Sequence, residues 1–225
     1  MKIALCLSGI PRGLYCHELV MKLAQMYEVC LFMYYWADAD KARNHSFNGK
    51  PCFPMNPNSF AFPGVELYYQ GDYFEKHMPE FQKQYDLIDL DKRNRKDLGI
   101  FGMTYGIYMA NLMREEYEYK NNMKFDCVFR IRFESGIRDV PGPIKFWLIS
   151  DYDLNCLWIP DINVDTSTGM NDQFAFSNSE IMSYYSRIYF KVVEISNQGF
   201  HSPEYIFNQY LRGNKFGVYA QAKLA

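Results

Sequence analysis

Apolar residues enter this chain in short, dense blocks separated by polar stretches. Lys2 to Leu7 (KIALCL) and Glu28 to Trp36 (EVCLFMYYW) are nearly continuous apolar runs. That is the pattern of strands buried on both faces. Between them Leu19, Leu23 and Met26 recur at helical spacing, which predicts a helix over about 14–26. Strand, turn-rich loop, helix, strand is the opening of an α/β domain with a parallel sheet. Farther along, the pattern predicts a strand at 65–69, a helix over 73–88 and a long helix over 103–122 with Thr104 as N-cap. Strands are then expected at 125–134, 157–162 and 174–176. Ser177 and Ser179 stand where a cap belongs, before a helix over about 180–195. Ser202-Pro203-Glu204 opens the last helix, Gly213 ends it, and 215–219 reads as a terminal strand.

Two stretches break the periodicity. Lys41 to Gly64, rich in Asn and Pro, reads as a long loop that either covers a cleft or elaborates the surface. Asp89 to Asp97 (DLDKRNRKD) reads as a mixed-charge turn, able to attract phosphate or simply solvated. No repeat, low-complexity tract or interdomain linker is evident, so a single domain over 1–225 is expected. Its sheet should be mixed, mostly parallel and flanked by helices.

One strand departs from the apolar pattern at its end. In Phe125 to Gly136 (FDCVFRIRFESG), Cys127, Phe129, Ile131 and Phe133 alternate with Val128, Arg130, Arg132 and Glu134. Strand geometry puts Arg130, Arg132 and Glu134 on one face. Two guanidiniums and a carboxylate at the end of a core strand are costly to desolvate without partners. They either pair with one another and with local backbone, or face a ligand cleft.

Composition narrows the classes. The 225 residues are 48% hydrophobic and 22% charged, ordinary for a globular core. Aromatics reach 18%, which serves core packing or a binding surface equally. A formal charge of −2 gives no general attraction to nucleic acid or anionic membrane. Six cysteines without a CxxC pair argue against a zinc knuckle and for a reducing, cytoplasmic setting. Ile3 to Leu7 is too short for a signal peptide or membrane span, and no later run reaches span length.

Candidate chemistry gathers at predicted strand ends. Ser8-Gly9-Ile10-Pro11-Arg12-Gly13 follows the first strand, at the sheet edge where α/β folds bind ligands. Ser8, Gly9 and Arg12 could contact phosphate through hydroxyl, close backbone approach and guanidinium, or the glycines merely shape a turn. Asp38 and Asp40 close the second strand as metal or ribose ligands, or as turn carboxylates.

Four segments together resemble a known pattern: LCLSGIPRG at 5–13, the strand ending in Tyr35-Trp36, the helix-strand unit at 103–135, and NDQFAFSNSEIM at 171–182 followed by HSPEYIF at 201–207. The chain resembles a family of glycosyltransferase-like proteins of bacterial surface-polysaccharide clusters and of large phages and viruses. The resemblance implies a GT-A-like fold, a Rossmann-type sheet that binds a nucleotide-sugar donor and a glycan or other hydroxyl acceptor. Such enzymes usually carry Asp-x-Asp at a central strand end to hold a divalent metal, Mn or Mg. The equivalent strand in this family reads Arg-x-Arg-Phe-Asp, and here it is Arg130-Ile131-Arg132-Phe133-Glu134. Either Glu134 is a metal ligand, with His201 completing the site, or Arg130 and Arg132 neutralise the donor phosphates themselves. Asp172 matches the acceptor-side Asn-Asp-Gln segment. It is the expected base, with Gln173 beside it and Glu204 at a sugar hydroxyl. The alternatives are a turn role for Asp172, a structural role for His201, and a helix-dipole role for Glu204. A non-catalytic sugar- or nucleotide-binding module is the competing class. A sugar nucleotidyltransferase ranks behind both, because its GxGTR-type loop is missing.

Overall fold

The apolar blocks become a seven-stranded mixed sheet in the order β3-β2-β1-β4-β6-β5-β7 in the computed structural model. The structure describes residues 1–11, 16–38, 56–94, 96–133, 148–160, 172–212, 214 and 216–221. The strands are β1 (Lys2–Gly9), β2 (Glu28–Trp36), β3 (Val65–Asp72), β4 (Cys127–Arg132), β5 (Leu157–Pro160), β6 (Phe174–Ser177) and β7 (Val218–Gln221). The helices are α1 (Cys16–Ala24), α2 (Phe74–Asp86), α3 (Lys96–Lys120), α4 (Ser179–Ser186), α5 (Val192–Ser196) and α6 (Pro203–Leu211). β1 to β4 are mutually parallel, so their carboxyl ends share one edge. β6 runs antiparallel to β4 and brings its own amino end to that edge.

Side-chain alternation divides the core in two. Ile3, Leu5, Leu7, Cys127, Phe129 and Ile131 pack toward α1. Ala4, Cys6, Cys30, Phe32, Tyr34 and Val128 pack toward the layer containing α2 through α6. Because both faces are covered, β1 and β2 are apolar at nearly every position, as a parallel sheet requires. Cys6, Cys30 and Cys127 are buried as small hydrophobes. No helix among the described residues is long and apolar enough to cross a membrane.

Several boundaries differ from the sequence expectation. The long helix starts at Lys96, so the end of the charged segment is its first turn. Thr104 lies inside it, buried, and its hydroxyl donates to the Ile100 carbonyl at 2.8 Å. Glycines at 99, 102 and 106 lower the local helix propensity and disguise this start. The segment expected as one helix over 180–195 is α4, a 3₁₀ turn at Arg187–Lys191 and α5. The Ser186 hydroxyl donates to the Ser183 carbonyl where α4 ends, competing with helical bonding. The cap of α4 is Asn178, which accepts from the Ile181 amide at 2.9 Å. Ser177 and Ser179 bond elsewhere, to Leu154 and Cys156 carbonyls and to Glu118. Ser202 caps α6 as expected, with Pro203 in the first turn. Within the 41–64 loop, Pro57–Phe60 forms a 3₁₀ turn, and residues 41–55 lie outside the described residues.

Candidate functional site

Strand order locates the site. From β1 the chain steps outward to β2 and β3, then returns to place β4 on the other side of β1. The switch point between β1 and β4 is where open α/β sheets form a ligand crevice, outside the carboxyl ends of the strands. Ser8 of β1 and Arg132 of β4 are register partners there. Alternation turns Ser8, Arg130 and Arg132 to the α3 side of the sheet, so the two arginines share a face, as the sequence predicts.

Gly9 ends β1 with φ +118°, a conformation that favours glycine, and a Cβ there would meet nothing within 4 Å. Its constraint is therefore conformational, and it turns the chain at the crevice. Behind it the backbone of α3 comes close, with a Cβ at Gly106 falling 3.6 Å from Ser8 Cβ and 3.7 Å from Gly9 N. Ser8 is buried against this helix. Arg12 and Glu134 lie outside the described residues.

β6 supplies the acidic partner. The Arg132 amide donates to the Gln173 carbonyl at 3.1 Å, which fixes residues 172–173 against the end of β4. Arg132 Nη1 then meets Asp172 Oδ2 at 3.0 Å. The carboxylate is the deeper of the two, with side-chain exposures of 5% for Asp172 and 22% for Arg132. Arg130 sits one step inward and is buried. Tyr185 of α4 is buried where the charges of Arg130 and Asp172 both act on it. Burial pushes its phenol pKa up, Arg130 opposes this, and Asp172 adds to it.

Other expected site residues are held elsewhere. His201 Nδ1 lies 3.2 Å from Asp97 Oδ1 in the first turn of α3. Asp97 is fully buried, and burial raises its pKa against the hydrogen bonds from the Asn94 amide and His201. Glu204 occupies the first turn of α6, where a carboxylate complements the helix dipole. Asp38 caps α2, accepting from the Phe74 and Glu75 amides at 2.6 and 3.1 Å, and Asp40 lies outside the described residues. Asp38 thus serves as a capping carboxylate for a helix 36 residues further on rather than for its own turn.

A second polar cluster at the same edge escapes sequence reading. Asp72, the last residue of β3, accepts from the Tyr34 hydroxyl at 2.9 Å and the Tyr73 amide at 2.7 Å. His77 Nε2 is 2.9 Å from the same carboxylate. Burial tends to raise the Asp72 pKa, but the bonds from His77, the Tyr73 amide and Tyr34 outweigh it and hold the carboxyl at about 2. Rings of Trp36, Phe81 and Tyr105 surround His77. The available signal was an aspartate at a strand end with a histidine five residues on; the tyrosine partner lies 38 residues away in sequence.

Hard cations want several oxygen ligands. Among the described residues no group of three or more His, Cys, Asp or Glu side chains converges. Asp172 faces an arginine and His201 faces Asp97. These residues do not fit an ion, and Glu134 is not among them.

No family model matches this chain, and no curated protein matches it. A solved structure similar to it is the apo form of mouse xyloside xylosyltransferase 1, with TM-score 0.42 and 7% identity, covering 98% of this chain and 85% of that one. A likeness that loose establishes neither a family nor an activity.

Proposed function

We propose that this protein is a glycosyltransferase that moves a sugar from a nucleotide-sugar donor to a hydroxyl of a glycan or similar acceptor. The observation that carries the reading is the Arg132–Asp172 pair at the mouth of the β1–β4 crevice, opposite Ser8. When the sugar departs, negative charge grows on the leaving diphosphate. Groups aimed at that charge usually supply the largest catalytic contribution. Arg132, with Arg130 behind it and the Ser8 hydroxyl and Gly9 backbone alongside, supplies such groups. Arg12 follows Ser8 and Gly9 and is proposed as a further donor contact, and Glu134 is proposed as a metal ligand or as the carboxylate that holds Arg130 and Arg132 in place. Asp172 is the base that takes the proton from the acceptor hydroxyl. Gln173 and Glu204 are proposed on the acceptor side.

A non-catalytic binding module is supported by one feature: Asp172 is buried and already engaged by Arg132. Titration calorimetry with UDP-, GDP- and CMP-sugars, with and without Mn²⁺, followed by donor hydrolysis and transfer assays, separates the readings. Saturable binding with turnover is expected, and binding without hydrolysis or transfer selects the module. For the enzyme, Asp172→Asn should lower turnover by roughly 10²–10⁴-fold while donor affinity is retained. Turnover equal to wild type would remove Asp172 as the base.

A further inference from the structure

β3 is the outermost strand of the sheet, and its outer side is unguarded. It pairs with β2 in unbroken register from Val65 to Asp72, and among the described residues no strand pairs with its other side. A strand so placed shows a row of amides and carbonyls ready to pair with another chain, and it is usually blunted by lysine, proline, a bulge or shortness. β3 has eight residues, VELYYQGD, with neither lysine nor proline, whereas β7 at the opposite edge has four. Strands of a parallel sheet are normally covered on both faces. Here Glu66 and residues 68–71 are exposed, Tyr68 at 38% and Tyr69 at 50%. The edge is also held in shape. The Tyr68 ring stacks on Phe32 at 5.3 Å, and the Tyr35 ring lies across Gly71, where a Cβ would fall 2.8 Å from it.

The side chains of β3 select a second copy of this chain as the partner. A two-fold axis between identical edge strands pairs them antiparallel and repeats every contact. With the axis perpendicular to the sheet, each face continues across the junction, so even-numbered residues meet even ones and odd meet odd. Two registers then pair all but one residue of the strand. An axis at Tyr69 sets Glu66 against Asp72 of the other copy, twice. An axis at Tyr68 sets Glu66 against Gln70, Leu67 against Tyr69, and the two Tyr68 rings against each other. Like charges directly opposite destabilise a cross-strand pair, so charge selects the second register. Glu66 is ready for it: Cys30, Tyr68 and Tyr117 donate to Oε2, which leaves Oε1 with Lys2 at 3.8 Å and open to an incoming amide.

We propose that β3 joins two copies of this protein antiparallel about Tyr68, making one sheet continuous across both. The Gln70 amide of each copy donates to the Glu66 carboxylate of the other. The contact is isologous and uses up the long edge of each copy, so it closes at the dimer. It does not depend on the glycosyltransferase reading.

Sedimentation velocity of the full chain over a range of concentrations, alongside thermal melts, tests this on wild type, Gln70→Glu and Gln70→Lys. Gln70 is exposed, so both variants should melt as wild type does. Wild type is expected to show a reversible monomer–dimer equilibrium. Gln70→Glu sets two carboxylate pairs across the axis and should weaken the dimer about tenfold. Gln70→Lys sets two opposite-charge pairs there and should strengthen it about threefold or more. Opposite responses to the two charges identify Glu66 as what stands across from Gln70. A monomer at every concentration overturns the proposal, and so do assemblies larger than a dimer. A dimer that responds to neither variant is built on another surface, and one weakened by both has another register; each of these also overturns it.

Discussion

At the scale of single residues, the carboxyl edge of the sheet is a set of carboxylates given different tasks by their neighbours. Asp38 spends its oxygens on two backbone amides at the start of α2. Asp97 is buried, with His201 and the Asn94 amide as partners. Asp72 collects three close donors and stays ionised to about pH 2. An aspartate whose folded pKa lies below its ordinary 3.8 contributes stability that is fully present above about pH 4. That contribution fades as pH falls from there toward 2. It amounts to roughly 2 kcal/mol, at 1.36 kcal/mol per unit. Asp97, whose pKa is raised, acts in the opposite direction, favouring the folded state as it protonates. Urea denaturation between pH 2 and 7 should therefore show an acid limb that is shallower in Asp72→Asn than in wild type. An identical acid limb would mean that the His77 and Tyr34 bonds do not hold Asp72 ionised. None of these three fates can be read from an aspartate's position in sequence. The pairing of Arg132 with Asp172 joins residues 40 positions apart, and only the β4–β6 register makes them neighbours.

At the scale of elements, α3 shows how packing overrides local preference. Its glycines look like helix breakers, yet one of them lies hard against a neighbouring ring. A Cβ on Gly102 would fall 2.3 Å from Phe74 Cε2, whereas one on Gly106 would meet only ordinary contacts at 3.6 Å and beyond. Alanine should gain about 1 kcal/mol of helix propensity at either site. Gly106→Ala is expected to keep most of that gain. Gly102→Ala must displace a buried ring, and a net loss of roughly 1–2 kcal/mol is expected. Chemical denaturation of both variants checks the contrast, and equal stabilisation would show that Phe74 yields freely. The cap of α4 is a simpler case: Asn178→Ala should cost about 1 kcal/mol, read by the same measurement.

At the scale of the whole molecule, the sheet is held to its helical layer by a buried polar contact as well as by apolar packing. Arg114 and Glu118, both buried on α3, pair at 2.7 Å. Glu118 also accepts from Ser179 of α4 and from the Phe125 amide that leads into β4. One carboxylate thus joins α3, α4 and the strand that carries Arg130 and Arg132. Burial alone would raise its pKa, but Lys124, Ser179 and Arg114 keep it low. Glu118→Ala leaves Arg114 with Asn111, Ser183 and Glu115 but removes its closest carboxylate and the acceptor of the buried Phe125 amide, and should cost about 1–3 kcal/mol. Under the proposed function, loosening α4 against β4 should weaken nucleotide binding as well, so the calorimetric and denaturation readouts should fall together. A stability loss of under about 1 kcal/mol would show that Arg114 finds a replacement.

The strands of the parallel half were legible because burial on both faces leaves an unmistakable apolar run, and β1, β2 and β4 appear where the pattern puts them. The charged end of β4 was legible for the same reason inverted: Arg130 and Arg132 interrupt a core strand at period two. The sequence by itself therefore determined an α/β chain with a cationic strand end and a glycine turn after β1. What it left open was which carboxylate answers Arg132, where α3 begins, and that the Asp72–His77 pair borders the same edge. Those were decided by the tertiary structure, because strand order and antiparallel register choose partners across long stretches of chain. Local periodicity records only which face a side chain takes, not what stands opposite it.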